Sequence, residues 1–192
     1  MFKSELTAIN TRHSKSAEMV LEMIKEGENV LDYGCGTGRN LMFLNEQKKG
    51  INLVGCDIEE QLKHSLEKHN NVRNAGIEVV ETSEVEGKFD YILCSHVLNV
   101  IESDSIKESV LKDIKAHLKE GGKSIIEVRT IKDVEGAKSK IAHGNGYKIK
   151  KGKSFTYQEG ISKEKIAEMI ANAGLSIEEH ICNSSKHIVI VK

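Results

Sequence analysis

The amino-acid sequence predicts an α/β fold in which a mostly parallel sheet carries helices on both faces. Apolar runs of strand length alternate with amphipathic stretches of helical period along most of the chain. A glycine-rich turn lies within Val30–Leu41 and joins the first apolar run to a helix. The chain ends in a helix and two apolar runs separated by a short polar turn, which predicts a terminal antiparallel hairpin.

The predicted strands are short apolar runs bounded by glycine, polar or charged residues. Predicted helices separate the first five of them, except the third from the fourth, as in a doubly wound sheet. In chain order the predicted strands cover Val30–Asp32, Ile51–Asp57, Ile77–Glu81, Asp90–Cys94, Ser124–Val128, Leu175–Cys182 and His187–Val191.

The predicted helices place apolar residues three and four positions apart. Ser14 is a suitable N-cap for the first helix, and Gly27 can close it. A helix begins near Leu41, directly after the glycine turn. The other predicted helices cover Ser14–Glu26, Gln61–His69, Ser103–Lys119 and Ser162–Ala173.

Length and composition exclude several classes of protein. A chain of 192 residues suffices for one well-buried α/β domain. The formal net charge of −1 gives no global attraction to nucleic acid or to an anionic membrane. No apolar run approaches the length of a membrane span, and the polar N-terminal segment lacks a secretory signal. These features predict a cytoplasmic protein.

The cysteines indicate neither a structural zinc site nor a disulfide framework. None of the four is spaced as C-x-x-C, so we expect no metal, and the usage fits a reducing compartment. We expect small buried thiols in or beside strands at three of the four positions. The four are Cys35, Cys56, Cys94 and Cys182.

The glycine turn has the properties of a cofactor cradle. Gly34, Gly36 and Gly38 stand at alternate positions after the first strand. Glycine accepts positive φ and lets a ligand approach bare backbone, while the next helix directs its N-terminus at the same place. The dinucleotide pattern G-x-G-x-x-G requires its third glycine where Arg39 stands, and the P-loop sequence G-K-[ST] is absent. A turn without ligand is the alternative, but three glycines would then only destabilise it.

An acidic residue ends the second predicted strand. Asp57 follows Gly38 by 19 residues, and a carboxylate there can accept two hydrogen bonds from a ribose diol. Ile58 comes next, and we expect it to lie against the adenine face. In a doubly wound sheet, ligands bind outside the carboxyl ends of the strands, so Ser95 and His96 face the same site.

The D-x-G-x-G-x-G arrangement from Asp32 to Gly38 resembles motif I of the class I S-adenosylmethionine-dependent methyltransferases. The resemblance extends from Val30 to Val191. It implies a Rossmann-like sheet of seven strands in the order 3-2-1-4-5-7-6, with strand 7 antiparallel. It also implies S-adenosyl-L-methionine as the cofactor. The cofactor-binding residues that we predict are Arg12, Asp32, Gly34, Cys35, Gly36, Gly38, Asp57, Ile58 and Ser95.

Arg12 is a candidate partner for the cofactor carboxylate, because the segment before the first helix would lie across the glycine turn. A solvated surface arginine is the alternative. A narrower resemblance rests on Thr7–Ile9 with Arg12, on Val97–Ile101 and on Val128–Arg129. These short matches look like a group of small bacterial and phage methyltransferases, some of which lie beside DNA phosphorothioation genes.

The sequence narrows the acceptor by what it lacks. It contains no proline. The resemblance to methyltransferases therefore excludes the amino-methylating DNA enzymes, which carry [DNS]-P-P-[YFW], and the cytosine-C5 enzymes, which carry a Pro-Cys nucleophile. His96 is the candidate general base, because its ordinary pKa is near neutral, with a hydrogen-bonded wall residue as the alternative. Further residues that could line the acceptor side are Tyr33, Glu127, Arg129, His143 and Tyr157.

We expect one methyltransferase domain over residues 1–192. It divides into a cofactor-binding core at 13–129, a basic insertion or cover at 130–158, and a C-terminal helix and hairpin at 159–192. The insertion shows no clear period, and Lys138–Lys153 holds six lysines and no acid. It is either an acceptor-binding cover that favours an anionic group, including nucleic acid, or a solvated loop.

The predicted function is methyl transfer from S-adenosyl-L-methionine to a small-molecule or nucleotide-like acceptor. The alternative is a non-catalytic module that binds this cofactor and contacts RNA or a partner through its lysine-rich segment. A nicotinamide-dependent oxidoreductase is disfavoured by Arg39 and by the terminal hairpin.

Overall fold

A computed structural model describes residues 12–48, 50–151 and 154–192 of the chain. The ten strands of these residues are β1 (Asn29–Tyr33), β2 (Asn52–Asp57), β3 (Glu78–Glu81), β4 (Phe89–Ser95), β5 (Leu118–Arg129), β6 (Lys140–His143), β7 (Gly146–Lys151), β8 (Ser154–Gln158), β9 (Ile177–Cys182) and β10 (Lys186–Val191). The helices are α1 (Lys15–Met23), α2 (Arg39–Gln47), α3 (Glu59–His64), α4 (Leu66–Asn74), α5 (Asp104–His117), α6 (Ile131–Glu135) and α7 (Lys163–Asn172).

Seven strands form one mixed sheet in the order β3-β2-β1-β4-β5-β10-β9. The first five positions are parallel, whereas β10 runs antiparallel to both β5 and β9. This order confirms the predicted arrangement 3-2-1-4-5-7-6, with β10 as the predicted strand 7. The order of strands reverses between β1 and β4, and their carboxyl ends open a crevice there, where ligands of such sheets bind.

Helices cover both faces of the large sheet, and each face has its own apolar cluster. Helices α1, α2 and α4 pack on one face, which we call the front face. Helices α5 and α7 pack on the other, the back face. Alternate residues of each strand enter the two clusters, so Leu93 belongs to the front and Ile92 to the back. The side a residue faces therefore decides whether it can reach the crevice beside α1 and α2.

Two predicted boundaries of helices and strands are wrong. The first helix ends at Met23 rather than Glu26, because Ile24 already has extended backbone. The fifth strand begins at Leu118 rather than Ser124. Gly121 and Gly122, which follow the predicted helix Ser103–Lys119, therefore lie inside the strand. A β-carbon at Gly122 would stand 2.9 Å from the Phe89 carbonyl oxygen, so that glycine allows close pairing of β4 and β5.

The insertion at 130–158 is not an irregular loop. It contains the short helix α6 and a separate antiparallel sheet, β6-β7-β8. Each of its three strands has only four to six residues, which is too short to show a clear alternation of apolar and polar residues. Lysines also occupy several of the strand positions. We call residues 130–158 the cover.

The cover is attached to the large sheet by backbone and side-chain contacts. The backbone N–H of Glu159 donates to the Asn99 carbonyl oxygen at 2.8 Å, and the N–H of Ile161 donates to the Arg129 carbonyl oxygen at 2.9 Å. Below these contacts, a buried ion cluster joins Glu159 to Lys107 of α5 and Lys165 of α7.

In the described ranges, no helix combines the length and the apolar character needed to cross a membrane.

Candidate functional site

The glycine turn folds back over the tip of β2. Gly34, Gly36 and Gly38 have φ of 70°, 60° and 75°, in the left-handed region that glycine adopts readily. The backbone N–H groups of Gly34 and Cys35 both donate to the Cys56 carbonyl oxygen at 2.9 Å. The turn is therefore held in place by backbone hydrogen bonds.

Close packing also requires glycine at two of these positions. A β-carbon at Gly34 would stand 2.4 Å from Cγ2 of Val97, in the turn that follows β4. A β-carbon at Gly38 would stand 2.4 Å from Cγ2 of Val72 on α4. No real β-carbon contact is this short, so the elements around the turn are spaced for a bare backbone.

Asp57 joins the tips of the first two strands. Its Oδ2 accepts the backbone N–H of Gly36 at 2.8 Å, and its Oδ1 accepts the N–H of Ile58 at 2.9 Å. Ile58 is 37% exposed beside this carboxylate. The structure thus brings together the glycine turn, the carboxylate and the apolar surface that were predicted to hold one adenosyl group.

Asp32 is buried at the end of β1 with half of its carboxylate unsatisfied. Oδ1 lies 3.4 Å from Nδ2 of Asn40, whereas Oδ2 has no hydrogen-bond partner among the described residues. Burial raises the pKa of this carboxyl to about 7, against the lowering effects of Asn40 and Arg39. A donor supplied by a ligand would satisfy Oδ2 and favour the ionised form.

Ser95 and His96 follow at the carboxyl end of β4. Ser95 pairs in register with Glu127, and Asp32 pairs with Leu93, so Ser95, Glu127 and Asp32 all point to the front face. Ser95 Oγ and His96 Nδ1 are buried atoms without a partner in the described part of the chain. Both were predicted to face the site, and both lie at the crevice with unused polar atoms.

His96 is fixed by contacts with β5. Its φ of 61° is the one positive value at a non-glycine residue within the described ranges. Its backbone N–H donates to the Glu127 carbonyl oxygen at 2.8 Å, and ring Nε2 lies 3.2 Å from Glu127 Oε1. The left-handed backbone turns the imidazole back toward Glu127, a geometry that sequence spacing does not reveal.

Glu127 is a buried carboxylate surrounded by donors. Besides His96, Oε1 accepts from Lys186 Nζ at 2.6 Å, and Oε2 accepts the backbone N–H of Ser16 at 2.9 Å. Burial alone would raise the pKa of this carboxyl, but the hydrogen bonds from His96 and Lys186 outweigh it and hold the pKa far below its ordinary value. Glu127 is therefore an anion at neutral pH.

Two predicted cofactor residues occupy positions that limit their role. Arg12 is exposed, and its carbonyl oxygen accepts the Arg39 guanidinium, so Arg39 ties the chain before α1 to α2. The Cys35 side chain is buried below Gly55, and burial raises the pKa of its thiol. The Cys35 thiol therefore belongs to the core, and its backbone N–H and carbonyl oxygen are paired with Cys56 and Gly38. Thr7–Ile9 lies outside the described residues, and the narrower resemblance that used it stays a prediction.

Several side chains at the site were missed at the level of sequence. His69 is fully buried on α4, with ring Nε2 2.6 Å from the Gly36 carbonyl oxygen. Gln61 is buried on α3 with its Oε1 unpartnered within the described ranges. Asn40 accepts the Ser14 N–H at 2.9 Å while it approaches Asp32. Each acts through packing between elements, for which local sequence carries no signal.

The acceptor-side candidates separate into two groups. Tyr33 lies on the back face, where its hydroxyl donates to Asp113 Oδ2 at 2.8 Å, so it points away from the crevice. The other four lie toward the cover or β5. Arg129 donates to Asp133 Oδ2 at 2.6 Å, and the buried Tyr157 hydroxyl donates to Glu159 Oε2 at 3.1 Å.

Three of the four cysteines are buried. Cys35, Cys56 and Cys94 are buried, and burial raises the pKa of each thiol. Cys182 is exposed on β9. Across the described ranges, no group of three or more histidine, cysteine or acidic side chains is placed to hold a metal ion.

A family model for a methyltransferase domain matches residues 10–180. Among curated proteins, the chain is 32% identical over 112 residues to the uncharacterized protein RP028 of Rickettsia prowazekii, covering 55% of this chain and 44% of that protein. It is 32% identical over 107 residues to a ribosomal protein L11 methyltransferase of Helicobacter pylori, covering 50% of this chain and 32% of that protein. The chain therefore spans less than half the length of these two relatives.

Solved structures of similar fold cover nearly all of the chain. PH0226 protein from Pyrococcus horikoshii superposes with a TM-score of 0.74 at 17% identity, covering 100% of this chain and 99% of that one. An S-adenosylmethionine-dependent methyltransferase from Clostridium acetobutylicum gives 0.68 at 18% identity, with 99% and 94% covered. The 1,6-didemethyltoxoflavin-N1-methyltransferase of Burkholderia thailandensis, solved with 1,6-didemethyltoxoflavin and S-adenosylhomocysteine, gives 0.66 at 18% identity, with 98% and 78% covered.

Proposed function

This chain belongs to the methyltransferase-domain family, and we propose that it transfers a methyl group from S-adenosyl-L-methionine to a small-molecule or nucleotide-like acceptor. Membership of the family supports the class of reaction, and neighbours of the same fold, one of them with bound S-adenosylhomocysteine, support the cofactor that the glycine motif predicted. The acceptor and the residues that act on it are the proposed part.

The observation that carries the proposal is a group of unsatisfied polar atoms at the crevice. Asp32 Oδ2, Ser95 Oγ and His96 Nδ1 are buried and have no partner among the described residues. Leaving a buried polar group unpaired costs about 1–3 kcal/mol each. A ligand that supplied partners to all three would recover much of that cost.

The residues present fit S-adenosyl-L-methionine. The bare backbone of the glycine turn would accept its close approach, Asp57 would accept the ribose hydroxyls, and Ile58 would cover the adenine. Asp32 would accept a cationic donor, for which the ammonium group of the cofactor is suited. When bound, this cofactor supplies an electrophilic methyl on a sulfonium, so the protein mainly positions and desolvates the reactants.

The acceptor side supports a small or nucleotide-like substrate. We propose His96 as the general base, because it lies at the crevice with a free ring nitrogen. The lysines of the cover favour an anionic group on the acceptor. The Burkholderia thailandensis neighbour, a 1,6-didemethyltoxoflavin-N1-methyltransferase, is consistent with a small acceptor.

Calorimetry with S-adenosyl-L-methionine and S-adenosylhomocysteine tests the cofactor site directly. We expect Gly36→Val and Asp57→Ala each to abolish binding, because one blocks the turn and the other removes the ribose acceptor. Gly87→Ala is the matched control, since Gly87 also has positive φ but has nothing within 4 Å of its β-carbon position. Unchanged affinity in both site variants, or tighter binding of NAD than of S-adenosyl-L-methionine, would contradict the proposal.

A second candidate function rests on the basic cover alone. The segment Lys138–Lys153 carries six lysines and no acid, so it could hold RNA while the core binds cofactor without turnover. Cofactor binding without methyl transfer to any of a labelled acceptor panel would favour this candidate, together with salt-sensitive retention of RNA that is lost on lysine removal. Turnover of any panel member would favour the enzyme.

A further inference from the structure

We propose that His69 is a positioning residue for the cofactor. By donating from its ring to the Gly36 carbonyl oxygen, it fixes the central residue of the glycine turn and so sets the affinity of the site for S-adenosyl-L-methionine. This inference rests on the proposed function. It adds a fully buried residue of α4 that acts on the cofactor through the turn.

The geometry of the ring shows which nitrogen donates. Nε2 lies 2.6 Å from the Gly36 carbonyl oxygen, and a carbonyl oxygen accepts hydrogen bonds but does not donate them. Nε2 therefore carries the ring hydrogen. The other ring nitrogen, Nδ1, lies 3.3 Å from the Leu62 carbonyl oxygen, so the imidazole spans from α3 to the turn.

Gly36 is held by a side chain at each of its two backbone polar groups. Its N–H donates to Asp57 Oδ2 at 2.8 Å, and its carbonyl oxygen accepts from His69. Its φ of 60° is left-handed, and glycine moves readily between this and other backbone conformations. The two side chains therefore select one conformation. They also link His69 through Gly36 to the carboxylate that we propose accepts the ribose hydroxyls.

The contact with His69 also orients the peptide that follows Gly36. No cis peptide occurs among the described residues, so this peptide is trans. In a planar trans peptide the carbonyl group and the next N–H point in opposite directions. The Thr37 N–H is therefore directed away from His69, and one backbone donor of the turn has a set direction.

The helix that carries His69 supports the turn at a second point by packing alone. Val72 of α4 occupies the space that a β-carbon at Gly38 would need, at 2.4 Å from its Cγ2. An apolar side chain in place of His69 would pack in the same way without the cost of burying a polar ring. The imidazole is therefore better explained by the hydrogen bond that it makes to Gly36.

Calorimetry with S-adenosylhomocysteine tests the role of this hydrogen bond. Glutamine and methionine have similar length, but only glutamine keeps an N–H donor. We expect His69→Met to weaken binding about 10-fold and His69→Gln to keep the affinity within about threefold of the wild type. Equal affinities in the two variants would overturn the inference, because a role in packing alone does not distinguish them.

His117 provides the matched control. Its Nδ1 lies 2.9 Å from the Asp113 carbonyl oxygen and its Nε2 lies 3.3 Å from the Val85 carbonyl oxygen, so it also joins two backbone carbonyl groups. Val85 precedes β4 and His117 precedes β5, so this contact lies at the amino ends of the strands, opposite the crevice. His117→Met should lower stability and leave cofactor affinity unchanged. A loss of affinity as large as that of His69→Met would overturn the inference.

Hydrogen exchange measured by NMR without cofactor tests the turn itself. We expect the Gly36 amide to exchange about 10-fold faster in His69→Met than in the wild type or in His69→Gln. The amides of Gly34 and Cys35 donate to the Cys56 carbonyl oxygen instead, so they should keep their protection. Equal acceleration at all three amides would show a general loosening of the turn and would overturn the inference.

Nitrogen-15 NMR of wild-type protein labelled at histidine tests the inference even if His69→Met does not fold. His69 should show the Nε2–H form, and the Nδ1–H form would overturn the inference. Failure of the wild type to bind S-adenosylhomocysteine would instead contradict the proposed function. The exchange of the Gly36 amide, measured without cofactor, still decides in that case whether His69 fixes the turn.

Discussion

The two ends of the crevice are built in different ways. At the proposed cofactor end, the tips of β1 and β2 present the backbone of the glycine turn, with Asp57 accepting the Gly36 N–H at 2.8 Å. At the proposed acceptor end, the tips of β4, β5 and β10 present side chains. There Glu127 gathers contacts from Ser16, His96 and Lys186, which are far apart in the sequence.

This difference explains why the two ends respond to different kinds of change. The cofactor end depends on the absence of side chains, so added volume should damage it most. The acceptor end depends on charges paired at fixed distances, so changes of charge at constant volume should damage it most. Each of the following predictions applies a change of volume or a change of charge and states the measurement that detects its effect.

The largest effect is expected from adding one methyl group to the turn. Gly34→Ala places a β-carbon 2.4 Å from Val97 Cγ2 at a φ of 70°. Left-handed strain costs about 1–2 kcal/mol, and overpacking against a stiff valine adds about 1–3 kcal/mol. We expect chemical denaturation to show a loss of about 3–4 kcal/mol, with cofactor binding abolished in calorimetry.

Gly87→Ala isolates the contribution of strain. Gly87 has a φ of 85°, and its β-carbon position has nothing within 4 Å. This variant should lose about 1–2 kcal/mol and keep its affinity for the cofactor. Equal losses of stability in the two variants would show that close packing against Val97 is unimportant, and the cofactor end would then not depend on bare backbone.

The meeting of the glycine turn with Asp57 could be predicted from sequence because its determinants are local. The three glycines of the turn follow Asp32 at the end of β1, Asp57 ends β2, and strand spacing places both at one edge of the sheet. The sheet order was predicted for a related reason, since motif I and a terminal hairpin resemble a family whose topology is fixed. The fifth strand shows the limit of such local prediction. It was predicted to begin after Gly121–Gly122, but its pairing with β4 extends it to include both glycines.

The contacts among the side chains at the acceptor end could not be predicted, because they form only between elements that are far apart in the sequence. Glu127 and Lys186 meet only when β10 pairs antiparallel with β5, a register that single-sequence periodicity does not give. The orientation of His96 depends on a left-handed backbone that no sequence rule assigns to histidine. The strands of the cover were missed because each has only four to six residues, too few for a clear alternation of apolar and polar residues.

The next effect should come from breaking the buried ion cluster below the cover. Lys107 is fully buried, with Nζ 2.7 Å from Asp104 Oδ1 and in contact with Glu159 Oε2. Lys107→Met leaves the buried Glu159 carboxylate with less compensation, which should cost about 3 kcal/mol. Thermal unfolding should show this loss, while cofactor affinity at the distant turn stays unchanged.

An exposed pair provides the control for this change. Lys63 and Glu59 pair on the exposed surface of α3, where solvent screens both charges, so Lys63→Met should leave the free energy of unfolding nearly unchanged. If Lys107→Met were equally mild, burial of the cluster would be unimportant for attachment of the cover. The proposed contrast, in which the acceptor end depends on paired charges and the cofactor end on bare backbone, would then lose support.

A smaller effect with a distinctive pH dependence is expected at Asp32. Burial raises its pKa to about 7, above the ordinary value of 3.8, so the cofactor-free folded protein holds a proton that the unfolded chain has lost. Its contribution to stability is full below about pH 4 and is lost as pH rises through about 7. The free energy of unfolding of wild type, relative to Asp32→Asn, should therefore fall across that range.

Cofactor binding should show the opposite dependence. A cationic donor beside Asp32 favours the carboxylate, so binding near pH 6 should release a proton and affinity should rise toward pH 8. Calorimetry in buffers of different ionisation enthalpy measures that proton. Asp32→Asn should release none and bind about 10–100-fold more weakly at pH 8. Proton release that persists in the variant would assign the titration to another group.

The smallest effects are expected from the lysines of the cover. Lys138 and Lys150 are exposed, and a surface charge contributes about 0.5 kcal/mol to an interaction. Lys138→Gln and Lys150→Gln should each weaken binding of a mononucleotide about twofold in NMR titrations, and together they should reduce its salt dependence. Binding of the matching uncharged nucleoside should not change, and Lys112→Gln on exposed α5 should affect neither ligand. Equal weakening of nucleotide and nucleoside would show that these lysines act through the fold of the cover rather than through charge, and the acceptor end would then resemble the cofactor end in depending on shape.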